Sequence, residues 1–196
     1  MQNLDEYKPA ILKQKWEIRS AKEKDSEYMQ MIKGDLDSAW SVINTAVLGF
    51  CLLSHSQLQE NRFTSTCVGR FWAVIMGVIL EELVVSYAAV KKCSQEGREQ
   101  MSLDANALYN FASDICVIQP FESVKDLKYV LDYLTCCKLE EPADILAWVK
   151  KHQTEYKLDI VDSIVSNALA RKLSKQAVKE LRETIYMMYE AMQWRV

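Results

Sequence analysis

An unbroken apolar run in the middle of the chain constrains the fold more than any other feature. Phe71–Leu80 contains ten consecutive residues that are apolar or glycine, so we expect neighbouring helices to cover a helix there on all sides. A membrane-spanning helix needs about 20 such residues, and Glu81 and Glu82 end the run at half that length. The run therefore favours a buried core helix, predicted over Cys67–Lys92. A membrane hairpin that pairs it with Ala46–Leu53 is the alternative.

A long amphipathic pattern precedes this core helix. From Pro9 to Leu53, apolar and small residues recur three and four positions apart, with gaps at Gln14 and Asp25. That spacing places them on one stripe of a helix. A helix of some 40 residues is roughly 60 Å long, so the pattern predicts a rod. The polar segment Ser54–Thr66 is predicted to be the loop that joins the two helices.

Five shorter amphipathic units follow Gly97 and predict short antiparallel helices. Ser123 and Ser174 are predicted N-caps, because a serine side chain can accept a hydrogen bond from the first turn. Gln119–Pro120 is a predicted boundary, since a residue before proline avoids the helical region. The predicted units are Asp104–Val117, Val124–Cys137, Pro142–His152, Leu158–Leu169 and Lys175–Gln193.

The chain as a whole is predicted to be an all-α, elongated helical bundle. Only 5 of its 196 residues are Gly and 3 are Pro, and long periodic segments with few turn formers favour helices. Hydrophobic residues make up 49% of the chain, which is enough for one core over residues 1–196. A division into a long-helix core, residues 1–101, and a short-helix bundle, residues 102–196, is the alternative.

Charge and motif content limit the classes of function. A net charge of −3 argues against nucleic-acid binding, which needs a concentrated basic surface. The six cysteines lack C-x-x-C spacing, so reduced thiols of a cytosolic protein are predicted, with a redox-active Cys136–Cys137 pair as the alternative. Glycine-rich phosphate loops and histidine–glutamate metal motifs are absent from the sequence. We therefore predict no catalytic, cofactor or metal site.

Two features are candidates for binding a partner. Trp16 lies off the main stripe of the predicted rod, between two charged residues, so a partner could cover it; a contact inside the domain is the alternative. Lys91, Lys92 and Arg98 form a small basic cluster where the core helix ends. This cluster could meet an acidic partner or anionic lipid, and a solvated helix end is the alternative.

The same region carries a family resemblance. Tyr87–Met101 resembles a stretch of the C-terminal region of the syndetin family, which reads Gly-Tyr-Ala-x-Val-Lys-Lys-Cys-Ser-x-Glu-Gly-Arg-x-x-Met. This chain has Ser86 in place of the first Gly of that pattern. Lys15–Ile18 and Trp148–His152 resemble two further stretches of the family in the same order. The matching residues are Tyr87, Ala88, Val90, Lys91, Lys92, Cys93, Ser94, Glu96, Gly97, Arg98 and Met101.

The resemblance implies a fold and a role. Syndetin is the subunit specific to the endosome-associated recycling tether, so the implied fold is the stacked helical rod of multisubunit vesicle tethers. The implied role is non-catalytic docking of vesicles in endosomal recycling or retrograde transport, in the cytoplasm at recycling-endosome and trans-Golgi membranes. The implied partners are sibling subunits, SNAREs or endosomal adaptors, with peripheral contact to anionic membrane.

The chain also departs from the family pattern. Ser54–Thr66 and Phe111–Glu122 do not follow it, and the N-terminal assembly region of the family is absent. We therefore expect an isolated C-terminal domain or a divergent relative. The residues on their own leave open a generic α-helical scaffold domain of another multiprotein complex.

Overall fold

The computed structural model describes residues 4–22, 24–53, 60–116, 126–169 and 173–193. The all-α helical-bundle prediction is confirmed, because the regular elements of these residues are helices and no β-strand is among them. The helices are α1 (Leu4–Lys13), α2 (Glu27–Leu53), α3 (Glu60–Ala88), α4 (Gln95–Ile115), α5 (Leu127–Cys136), α6 (Pro142–His152), α7 (Leu158–Ser163) and α8 (Lys175–Gln193). A π-helical segment, Ile164–Leu169, continues α7.

Helix α3 is the central element, because α1, α2, α4, α5 and α7 all contact it. One side of its apolar run is in the core, but the other is not: Phe71, Val74 and Val78 are 66%, 64% and 42% exposed. These three residues follow one another at helical spacing on one face. The expectation that the run is covered on all sides is therefore wrong. The fully buried side chains of the run are Trp72, Met76, Ile79 and Leu80.

The bounds of α3 also differ from the prediction. It starts at Glu60, so the predicted loop over Ser54–Thr66 is wrong for its second half, and residues 54–59 lie outside the described residues. By length and composition, Cys67–Ala88 could cross a membrane, and it is the one such stretch found in the described residues. However, 56% of its most apolar window is buried inside the bundle, which agrees with a core helix.

The predicted long N-terminal helix is two helices. α1 ends at Lys13 and α2 begins at Glu27; residues 14–22 and 24–26 between them, here called the strap, are not helical. The cause is Trp16, whose ring is buried and whose Nε1 donates a hydrogen bond to the Ile11 carbonyl at 2.9 Å. A continuing helix would pair that carbonyl with the N–H four residues on. The uninterrupted rod from Pro9 is therefore wrong.

The last helices follow their local signals. Pro142–His152 and Lys175–Gln193 are confirmed as predicted, and α7 with its π-helical segment fills the predicted unit Leu158–Leu169. Ser174 caps α8, since its hydroxyl accepts a hydrogen bond from the Ala177 N–H at 3.1 Å. The local signals Pro142, in the first turn of α6, and Ser174, the cap of α8, therefore agree with the observed starts of these two helices.

Two other helix starts were predicted wrongly. α4 begins at Gln95 rather than Asp104, because the Ser94 side chain caps it. α5 is capped by Asp126, whose carboxylate accepts a backbone hydrogen bond from its first turn. The predicted cap Ser123 lies outside the described residues, as does the predicted boundary at residues 119–120.

Candidate docking surface

The strap lies along one face of α4 and runs parallel to it. At its start, the Ser94 N–H donates to the Trp16 carbonyl at 3.1 Å. The Ile18 N–H donates to the Ser94 hydroxyl at 3.3 Å. The same hydroxyl accepts from the Gly97 N–H at 3.1 Å, so one side chain caps α4 and fixes the strap.

Gln100 holds the middle of the strap. Its Oε1 accepts a hydrogen bond from the Lys22 N–H at 2.6 Å, and its Nε2 donates to the Lys24 carbonyl at 3.3 Å. The side chain is buried, and both ends of its amide are bonded. The strap backbone thereby gains partners that a helix would have supplied.

Asp104 holds the end of the strap and is fully buried. Its Oδ1 accepts hydrogen bonds from the Ser26 N–H at 3.2 Å and the Gln100 Nε2 at 3.0 Å. Its Oδ2 accepts from the Tyr28 hydroxyl at 2.7 Å. Because the Tyr28 hydroxyl donates its proton to Asp104, the Tyr87 hydroxyl donates to the Tyr28 oxygen, 2.8 Å away. Burial raises the pKa of both tyrosines, so both hydroxyls keep the protons that this chain requires.

Trp16 is a core residue, so the expectation that it is exposed to a partner is wrong. Its side chain is 3% exposed, and its ring centroid lies 6.0 Å from that of Tyr87 and 6.1 Å from that of Tyr28. Its backbone lies against Gly97, where an added Cβ would be 2.1 Å from the Trp16 carbonyl oxygen. Glycine is therefore required at position 97 for the strap to approach α4 this closely.

Cationic side chains of the strap are exposed to solvent, because α4 binds the backbone of the strap rather than these side chains. Lys15, Lys22 and Lys24 are all exposed. Two neighbouring grooves share the strap segment 14–16. The first groove, of about 480 Å³, is lined by Lys13, Lys15, Lys22 and Lys24 among others. The second groove, of about 450 Å³, is lined by Lys15, Lys91 and Lys92 among others.

The structure divides the predicted basic cluster. Lys91 and Lys92 are exposed in the turn between α3 and α4, where they line the second groove with Lys15. Arg98 is only half-exposed and lines a separate crevice with residues that include Tyr133. Geometry therefore associates Lys91 and Lys92 with the strap rather than with Arg98.

Sequence reasoning missed the lysines of the strap and the buried side chains that position it. The available signal was the pair of gaps in the apolar stripe, at Gln14 and Asp25, which mark the two ends of the strap. A second signal was the pair Gln100 and Asp104, which are four residues apart and so share one face of a helix, together with Ser94, whose side chain can cap that helix.

Two further predictions concern reactive cysteines and metal-ion sites away from the strap. Cys136 and Cys137 are both buried, and burial raises the pKa of the Cys136 thiol, with the neighbouring Cys137 as a second cause. A raised pKa leaves the thiol protonated and unreactive, so the structure does not favour a redox-active pair. Among the described residues, no group of three His, Cys, Asp or Glu side chains is placed to hold a metal ion.

Comparison with known proteins decides the family. The family model described as "Syndetin, C-terminal" matches residues 1–186 of the chain. The chain belongs to the syndetin C-terminal family. The predicted resemblance to the syndetin family is thereby confirmed. Ser94 and Gly97, which lie in the stretch Tyr87–Met101, are two of the residues that fix the strap.

Relatives of the syndetin family share modest identity with this chain. Syndetin of Gallus gallus is 32% identical over 114 residues, which cover 58% of this chain and 12% of that protein. Syndetin of Mus musculus and of Rattus norvegicus are each 30% identical over 114 residues, covering 58% of this chain and 11% of each protein. The chain thus matches a small part of the length of these relatives. No solved structure was found to match it.

Proposed function

We propose that this chain is a non-catalytic domain of a vesicle-tethering complex, acting in endosomal recycling and retrograde transport by protein–protein contact. Membership of the syndetin C-terminal family over residues 1–186 is the observation that carries the proposal. The all-α bundle supports it, because stacked helical bundles are the architecture that the resemblance implies. A single domain over residues 1–196 belongs to the same proposal.

The proposed partners are sibling subunits of the complex, SNAREs or endosomal adaptors. The proposed place of action is the cytoplasmic side of recycling-endosome and trans-Golgi membranes, with peripheral contact to anionic membrane. Lys91 and Lys92 are the proposed docking residues because they are exposed beside a groove. Arg98 is kept as a candidate at the edge of this surface, whereas Trp16 is buried and is left out.

The test is affinity capture from cytosol with the whole 196-residue chain as bait, read out by antibodies to tether subunits and SNAREs. The Lys91→Glu/Lys92→Glu variant is compared with Lys128→Glu/Lys175→Glu, which makes the same charge change at exposed positions elsewhere. We expect the wild type and the control to recover tether subunits, and the first variant to lose them.

Two other results are informative. Equal recovery by both variants would retain the role and remove Lys91 and Lys92 from the docking surface. Failure of a folded wild-type chain to recover any tether subunit or SNARE would contradict the proposed role and favour a generic helical scaffold.

A further inference from the structure

We propose that the two grooves beside the strap bind an acidic peptide segment of a partner protein. The inference rests on the proposed protein-binding role and adds the chemistry of the partner. It also enlarges the surface, because Lys13, Lys15, Lys22 and Lys24 join Lys91 and Lys92.

The positive charge of the groove linings is the main support for acidic-peptide binding. Among the residues that the structure describes, six lysines and three carboxylates line the two grooves, although the whole chain has a net charge of −3. One of those carboxylates, Asp25, is already paired with Lys33. All six lysines are exposed, so their ammonium groups are available to an incoming anion. A concave surface lined by one sign of charge attracts and orients a partner of the opposite sign.

The second groove also has an apolar part. Leu12 is 44% exposed at its rim, and Val90 lies among its lining residues. The complementary segment therefore combines acidic residues with an apolar side chain that covers Leu12.

The concave shape of the grooves and the acidic residues in their linings favour a peptide over a membrane surface as the ligand. The lysines line grooves rather than a protruding face, and a chain of residues can enter a groove that a bilayer surface cannot. Glu17 and Glu27 also lie in the linings. A continuous anionic surface would meet the exposed carboxylate of Glu27, whereas a peptide can place its charges to avoid it.

The experiment measures binding of a fluorescein-labelled peptide of alternating Glu and Leu to the 196-residue chain by fluorescence anisotropy. The matched peptide has Gln in place of Glu. The test variant is Lys15→Glu/Lys22→Glu, and the control is again Lys128→Glu/Lys175→Glu. α4 binds Lys22 through its N–H, and the side chains of Lys15 and Lys22 are both exposed, so thermal unfolding should show the variant folded.

We expect the wild type and the control to bind the Glu peptide alike, the test variant to bind roughly tenfold more weakly, and salt to weaken binding. Binding of the Gln peptide as tightly, or equal weakening in both variants, would overturn the inference. Binding of phosphatidylserine vesicles without binding of the peptide would overturn it in favour of lipid. If the test variant still recovers tether subunits from cytosol as well as the wild type, the acidic-peptide inference fails while the proposed function stands.

Discussion

Two glycines inside helices have opposite surroundings. At Gly97 an added Cβ would lie 2.1 Å from the Trp16 carbonyl oxygen. At Gly34 in α2, beyond the chain neighbours and the helix's own backbone, no described residue lies within 4 Å of such a Cβ. We predict that Gly97→Ala lowers the free energy of unfolding by about 1–3 kcal/mol, because the strap must move away from α4. Gly34→Ala should raise it by about 0.5–1 kcal/mol through helix propensity. Urea unfolding of both variants checks this, and a stabilising Gly97→Ala would show that the strap does not pack on α4.

Asp104 gives a second prediction at the residue scale. Asp104→Ala should cost on the order of 1–3 kcal/mol of unfolding free energy, because buried donors of the strap and of Tyr28 lose their acceptor. Asp104→Asn should cost less. Its amide can donate to the Tyr28 oxygen, Tyr28 can donate to Tyr87, and Tyr87 can donate to the Met101 carbonyl, 3.4 Å away.

Chemical denaturation of the two Asp104 variants separates hydrogen bonding from charge. An Asn variant as unstable as the Ala variant would contradict the reversed chain of hydroxyls. It would show instead that the negative charge at this position is what the strap requires.

At the scale of the elements, α3 offers a matched pair of valines. Val74 is 64% exposed and Val84 is fully buried on the same helix. Val84→Ala should lower the free energy of unfolding by roughly 1–3 kcal/mol, since it removes buried methyl groups and leaves a cavity. Val74→Ala should change it by less than about 0.5 kcal/mol, because it removes little buried area and alanine is the better helix former. Thermal unfolding of both variants makes the comparison, and equal losses would show that the outer face of α3 is covered.

The elements also show where sequence reasoning succeeds. α6 and α8 were predicted with their observed starts because Pro142 lies in the first turn of α6 and Ser174 caps α8. The break between α1 and α2 has no comparable cap signal, and its mark in the sequence is the pair of gaps in the apolar stripe at Gln14 and Asp25. The bonds that hold the strap join residues 76 or 78 positions apart, and a periodic apolar stripe is compatible with one helix or with two.

The positions of the candidate docking residues were predictable only in part, for a related reason. Lys91 and Lys92 are exposed as expected, since they follow the end of a core helix. Arg98 is close to them in sequence, but it lies one turn into α4 and faces Tyr133 of α5. Which neighbours a side chain meets depends on how α4 packs, and residue spacing does not specify that.

At the scale of the whole molecule, buried tyrosines predict how stability depends on pH. Burial is the largest cause that raises the pKa of each, to about 12 for Tyr189. An unfolded tyrosine titrates near pH 10. The folded chain therefore binds more protons above that pH, so the free energy of unfolding falls as pH rises from about 10 to 12. The tyrosines concerned are Tyr7, Tyr28, Tyr87, Tyr129, Tyr133, Tyr156 and Tyr189.

An alkaline titration followed by tyrosinate absorbance and circular dichroism tests this prediction. We expect ionisation of these tyrosines to coincide with loss of helix in one transition, because they lie in one core that links α1 to α8. The urea-unfolded chain is the control and should ionise near pH 10. The chain has nine tyrosines, so formation of more than two tyrosinates in a chain that keeps its helices would contradict the prediction. Two separate transitions would contradict a single domain.

The way in which α4 holds the strap has a consequence for how this surface can change. Ser94, Gln100 and Asp104 recognise backbone groups, which every residue type except proline supplies in full. Substitutions at solvent-facing positions such as Lys15 and Lys22 should therefore leave the fold intact. The residues at these positions can be varied and selected for binding to a chosen ligand, as the hypervariable loops of an antibody are on their constant framework. The strap is a natural place for affinity engineering in this bundle.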